Sequence, residues 1–223
     1  MARSAQAPTA GAATTAPDAD KAQVAAPTQQ AIKSAQTRER LIDATIRCLV
    51  QFGYASTTTP RVAAEAGLSR GAMMHHFENG GALMQAAISE LHEKRLRAFK
   101  RGVTVAPQDI NTLVRNYWKQ VSGSTFIAFH ELAVAARTDA DLAKILVPAQ
   151  RDFRARWYRQ AIELFPDWQK DRARFDLALS LSQHTLEGMA INRLTHGLDD
   201  AMIGPMLDNL ENQIRALKPT ESA

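Results

Sequence analysis

Between Thr57 and Phe77 the sequence reads TTTPRVAAEAGLSRGAMMHHF, and its placement of small side chains admits few folds. Two short helices pack at close range only where the first presents a small residue at the crossing and the turn tolerates an unusual backbone. Ala63 and Gly67 stand where those demands fall. Val62, Ala66, Leu68 and Met73 are the apolar residues that would close a small core between the helices, leaving Arg61, Glu65 and Arg70 outward. Ser69 is placed to N-cap the second helix, Pro60 suits the first turn of the first, and one of Thr57, Thr58 or Thr59 caps it. The pattern is that of a helix-turn-helix, whose second helix reads DNA.

The preceding segment carries its own periodicity. Leu41, Thr45, Cys48, Leu49 and Phe52 follow the spacing of one buried helical face, and Gly53 ends it, which predicts a first helix over 37–52. Three helices this small need a larger partner for stability. From Leu83 onward there is no strand alternation, only helical spacing broken by Gly or Pro. Helices are expected over 83–101, 108–121, 125–137, 140–164 with an irregularity near Pro148, 168–195 and 199–217. The fold class is therefore all-α: a helix-turn-helix domain over 34–82 and a helical second domain over 83–223. Residues 1–33, rich in Ala, Thr, Pro and Gln, have almost nothing to bury and read as a disordered tail.

Charge is distributed unevenly. Residues 34–101 hold 10 Lys and Arg against 6 Asp and Glu, net +4, whereas residues 102–223 hold 14 against 15. The excess lies where DNA contact is expected, and a basic surface gains affinity for phosphate through counterion release. The single cysteine, Cys48, permits no intramolecular disulfide; on the apolar face of the first helix it reads as a small core residue suited to a reducing cytoplasm. No stretch approaches the length of a membrane span, and no apolar block of a signal peptide stands at the N-terminus.

From about Thr37 to Ile88 the chain resembles the TetR family of transcriptional regulators. The resemblance rests on Gly53-Tyr54, on Thr57 four residues after that glycine, on the run Val62-Ala63-Ala64-Glu65-Ala66-Gly67-Leu68-Ser69, and on the closing His76-Phe77. Two departures bear on affinity. Met74 stands where the family usually has an aromatic, most often tyrosine, and Glu78-Asn79-Gly80-Gly81 lacks the usual lysine. Two phosphate contacts are lost by these changes, and the paired glycines are expected to loosen the next helix. Operator binding weaker or more salt-sensitive than is usual in the family is expected.

The resemblance implies a homodimer that binds a near-palindromic double-stranded DNA operator, usually as a repressor. The last two long helices would form the dimer interface, with Phe175, Leu179, Leu186, Met202, Met206 and Leu210 as interface or core candidates, and the middle helices would enclose a small-molecule inducer. Arg70 is the first choice for a base contact, Gly71 and Ala72 allow close backbone approach, His75 and His76 reach a base edge or phosphate, and Thr57, Thr58, Thr59 and Arg61 clamp backbone beside them. Ser69 and Met74 complete the expected DNA-facing set, and Phe77 is assigned to the core. For the inducer, Trp118, Phe126 and Phe129 are wall candidates and His130, beside Glu131 in an apolar run, is the polar one.

Other constellations carry less. His184 and Glu187 share a helix face, yet no third metal ligand stands at fitting spacing. Arg151, Arg154, Arg156 and Arg159 fall off the stripe Phe153, Trp157, Ala161 and Leu164 and read as a solvated face. No glycine-rich phosphate loop, nucleophile elbow or cofactor motif is present, so an enzyme is not expected, nor a metal or cofactor. The remaining alternative is a helical interaction protein whose DNA-binding motif has degenerated.

Overall fold

The computed structural model of the chain describes residues 28–105 and 109–218; most of the expected tail, 1–27, lies outside them. The described residues form α1 (Gln29–Ser56), α2 (Thr59–Glu65), α3 (Arg70–Met74), α4 (Gly80–Val105), α5 (Ile110–Val121), α6 (Ser124–Ala135), α7 (Ala140–Leu164), a 3-10 turn (Pro166–Lys170), α8 (Arg172–Leu194) and α9 (Asp200–Leu217), with no strand among them.

Helix α1 starts well before Thr37. Thr28 caps it, its hydroxyl accepting from the Ala31 N–H at 3.2 Å, so residues 29–33 are helical rather than part of a disordered tail. The run QQAIKSAQ is exposed but made largely of good helix formers, and a helix already nucleated by a buried face propagates through such residues. Leu41, Thr45, Cys48 and Leu49 are fully enclosed, as their spacing predicts, together with Ala44, and Ile46 is buried beside them. Phe52 is not: it is 46% exposed, its ring covered by the Arg61 guanidinium at 4.6 Å. The helix axis breaks one residue later, at Gly53, whose φ of 71° lies in the left-handed region that favours glycine.

Three apolar clusters organise the molecule. The first joins α1 to α2 and α3 through Leu41, Cys48, Val62, Ala63, Met73 and Phe77. The second packs the same α1 against α4, α6 and α7 through Leu49, Ile88, Leu91, Leu132 and Leu146. The third fills the far end, where α5, α8 and α9 enclose Val114, Phe175, Leu186, Leu210 and Ile214. Helix α1 thus has one face in the small head and another in the helical body, the larger partner that three short helices need.

Other boundaries also differ from the sequence expectation. The segment 168–195 is divided: Pro166 opens a 3-10 turn, Trp168 is buried against Phe175, and Asp171 caps α8 by accepting from the Arg174 N–H at 3.1 Å. Gly80 and Gly81, expected to loosen a helix starting at Leu83, are its first residues. Asn79 caps α4 by accepting from the Ala82 N–H at 2.9 Å. A Cβ on Gly80 would stand 3.1 Å from Thr59 Cγ2, so the missing side chain lets α4 approach α2 closely. Helix α7 runs unbroken through Pro148.

Candidate nucleic-acid interface and the cavities behind it

The turn between α2 and α3 is set by Gly67, at φ 62°, and by the Leu68 N–H donating to the Ala63 carbonyl at 2.8 Å. Ala63 is 2% exposed at the helix crossing, and Val62, Ala66, Met73 and Phe77 are buried around it with Leu68 partly so. Ser69 caps α3 by accepting from the Ala72 N–H at 3.1 Å. Thr58 holds the cap position of α2 without a side-chain cap bond, while the Thr57 hydroxyl donates to the Gly53 carbonyl at 2.7 Å.

Around this motif most basic side chains are committed. Arg38 donates to the His76 carbonyl at 3.0 Å and lies over the Phe77 ring at 4.1 Å. Arg47 pairs with Glu65 at 2.6 Å, and Arg61 donates to the Ser56 carbonyl at 2.9 Å. Arg70 is exposed at the first position of α3 and makes no hydrogen bond or ion pair. Of the sequence-selected residues, Thr58, Arg61, Ser69, Arg70, Gly71, Met74 and His75 are exposed; Thr57, Thr59, Ala72 and His76 are half-buried. Arg61 thus has one of its five donors committed within the protein and its plane set over Phe52. Arg38 was not foreseen, because its contacts bridge positions 38 residues apart.

The head is tied to the body by a second unforeseen set. Glu131 of α6 accepts from the Tyr54 N–H at 3.4 Å, beside Gly53, and the Tyr54 hydroxyl donates to Asp139 at 2.8 Å. Burial, then the Asp139 carboxylate, pushes the Tyr54 phenol up to about 12. Asp139 also accepts from the Asp141 and Leu142 N–H groups at the start of α7. Glu131, the charged neighbour of His130 in the apolar run, is exposed and hydrogen-bonds the neighbouring helix in this latch.

Among the cavities of the helical body, two adjoining ones are each of about 750 Å³ including the mouth. One is lined by Phe99, Tyr117, Trp157, Trp168, Phe175 and other residues of α4, α5, α7 and α8. The second, beside it, is lined by Arg95, Phe99, Tyr117, Phe126, Phe153, Trp157 and Gln183, among others. Of the four expected inducer-contacting residues only Phe126 lines either one. Trp118 packs against the third cluster, Phe129 is 9% exposed under the Arg95 guanidinium, and His130 stacks on Phe126 at 5.2 Å with its Nδ1 enclosed and unpartnered. Helical spacing identified them as inward-facing, but which inward direction meets a void is set by the helix crossings.

Elsewhere, His184 is exposed and bonded to the Ser180 carbonyl, and no group of three or more potential metal ligands occurs among the described residues. Arg151, Arg154 and Arg159 are exposed and Arg156 pairs with Glu93 at 2.6 Å, a solvated face as expected. No helix among the described residues is long and apolar enough to cross a membrane.

Comparison with known proteins bears on the same segment. A family model described as bacterial regulatory proteins of the tetR family matches residues 41–87. An uncharacterised HTH-type transcriptional regulator of Mycobacterium tuberculosis, Rv2912c, is 31% identical over 169 residues, covering 71% of this chain and 83% of the relative. The HTH-type transcriptional repressor Rv1474c of the same species is 28% identical, covering 81% and 94%. Among solved structures, the multidrug binding protein EbrR complexed with imidazole shares the fold at TM-score 0.54 and 23% identity, covering 83% of this chain and 97% of that one.

Proposed function

The chain belongs to the TetR family of bacterial regulatory proteins, and from that premise we propose that it is a ligand-responsive repressor that binds a near-palindromic operator as a homodimer. It is a helix-turn-helix transcriptional regulator, and its relatives are named as regulators and repressors rather than enzymes. The observation that carries the operator reading is Arg70: a free, exposed guanidinium on the first residue of α3, in a head whose neighbouring cations are held by protein partners. Its fork suits a bidentate pair with guanine. Gly71 presents little bulk beside it, and Thr58, Ser69, Thr57, Thr59 and His76 supply polar groups for the adjacent phosphates. Met74 and the absent lysine leave this surface with fewer phosphate contacts, so affinity is lower than a full set would give and, with fewer counterions released, falls less steeply with salt.

Three further observations support the rest of the reading. Leu177 and Leu194 on α8 and Met202 on α9 are about half exposed, at 48%, 53% and 49%. Gly188 and Gly204 have open space beside their Cα atoms, which lets a second copy's helices approach. Of the six interface candidates, Phe175, Leu186 and Leu210 are buried within the subunit, leaving Met202 with Leu179 and Met206 nearer the surface. In the dimer two α3 helices would enter successive major grooves about 34–36 Å apart. The cavities of the helical body are the places for an effector, as the imidazole complex of EbrR supports. The protein acts on DNA in the cytoplasm, where Cys48 stays a thiol, raised in pKa chiefly by burial.

Selection from a random duplex library with the purified protein, followed by sequencing, tests this reading. An enriched near-palindrome with half-sites one helical turn apart is expected. No enrichment at low salt would overturn it in favour of a helical interaction protein.

A further inference from the structure

Arg95, in the interior of α4, lines the second cavity with only 14% of its side chain exposed. Its guanidinium is sandwiched between Phe129 and Phe153, 4.3 and 4.2 Å from their ring centroids. It makes no hydrogen bond. Its carboxylate neighbour, Glu187 of α8, stands 3.7 Å away and already accepts from the Tyr117 hydroxyl at 3.3 Å and the Gln183 amide at 3.4 Å. Nη1 is enclosed with no partner. A guanidinium taken out of water without hydrogen bonds is costly, and two ring faces offset only part of that cost. Apart from the long ion pair to Glu187, the guanidinium donors have no partner that an incoming anion would have to displace.

The rest of the cavity agrees. Lys94 and Arg154 also line it and no carboxylate does. Lys94 is neutralised by Asp43 at 2.7 Å, but Arg154 is exposed and without an ion pair. Phe99, Phe126 and Trp157 provide apolar wall. We propose that the effector of this regulator is a small aromatic carboxylate, its anionic group paired with Arg95 and its ring set among Phe99, Phe126 and Trp157. This rests on the effector-binding reading of the helical body. It also gives that reading a lever, because the ligand carboxylate competes with Glu187 for Arg95 and so alters the tie between α4, which leads from the DNA-reading head, and α8.

The test compares 1-naphthoate with 1-naphthamide, which have the same ring system but differ in charge, by calorimetric titration of the full-length protein near neutral pH. The acid is expected to bind about tenfold or more tightly than the amide, the worth of one charge-assisted pair. Arg95→Gln is expected to erase that preference and Arg95→Lys to keep part of it. Should Arg95→Gln fail to fold, Arg154→Gln, at an exposed position, is expected to weaken the acid and leave the amide unchanged. Equal binding of acid and amide, no saturable binding of either at millimolar concentration, a preference that survives in folded Arg95→Gln, or, where that variant does not fold, one that survives in Arg154→Gln would overturn the proposal. The two readings separate in a duplex-release assay. Operator release by a neutral compound and not by naphthoate would overturn the anionic class while the regulator stands; Arg95-dependent naphthoate binding by a protein that selects no duplex would support this site while the repressor reading fails.

Discussion

Arg70 and His92 show how differently single residues are constrained in this molecule. Arg70 is exposed and makes no hydrogen bond or ion pair in the protein, so Arg70→Ala should leave the urea midpoint nearly unchanged. In DNA titrations it should cost about 1–3 kcal/mol and relax preference at one base position. His92 is the opposite case. It is 4% exposed, stacked on Phe153 at 4.8 Å and hydrogen-bonded to Gln150 at 3.1 Å. Burial, reinforced by the Arg95 charge, lowers its pKa to about 4. The folded state therefore disfavours the proton that the unfolded chain takes up below about 6.5. Stability from this group is complete above that pH and is lost as pH falls toward 4, a contribution on the order of 3 kcal/mol. Urea unfolding from pH 7 to 4 should show the loss in the wild type, and His92→Leu should lose less over the same range.

At the scale of elements, what the sequence made legible was local. The cap at Ser69, the small residue at Ala63, the positive-φ glycine at 67 and the buried face of α1 all depend on near neighbours, and all are found in place. What escaped was decided by distant partners. Phe52 continues the α1 stripe by spacing, yet the break at Gly53 and the cover by Arg61 leave it at the surface. The Gly80-Gly81 pair looks like a flaw until Thr59 and Asn79 are seen against it. The cavity around Arg95 joins residues of α4, α5, α6, α7 and α8 that no spacing rule links. Because two glycines open α4, its start leans on the Asn79 cap. Asn79→Ala should lower stability by about 1 kcal/mol in chemical denaturation, and Asn79→Asp should retain most of it.

For the whole molecule, the positive excess, the exposed Arg70 and the half-exposed Leu177 and Met202 belong to different regions, and the proposed function needs them in one assembly. Leu177→Glu combined with Met202→Glu should yield monomers in sedimentation velocity while preserving the helical circular dichroism. Operator affinity should fall by far more than Arg70→Ala produces, since each subunit then reads one half-site alone. A dimer unaffected by the double substitution would place the interface elsewhere.

Arg38 reaches from α1 to the carbonyl of His76 and the face of Phe77, bracing the recognition helix from behind. In a genetic selection for lost repression, alleles at position 38 should therefore appear alongside alleles at position 70, though only the latter remove a group proposed to meet DNA. Suppressor analysis separates them. Substitutions that tighten packing between α1 and Phe77 should rescue Arg38→Ala, whereas Arg70→Ala should be rescued chiefly by changes in the operator itself.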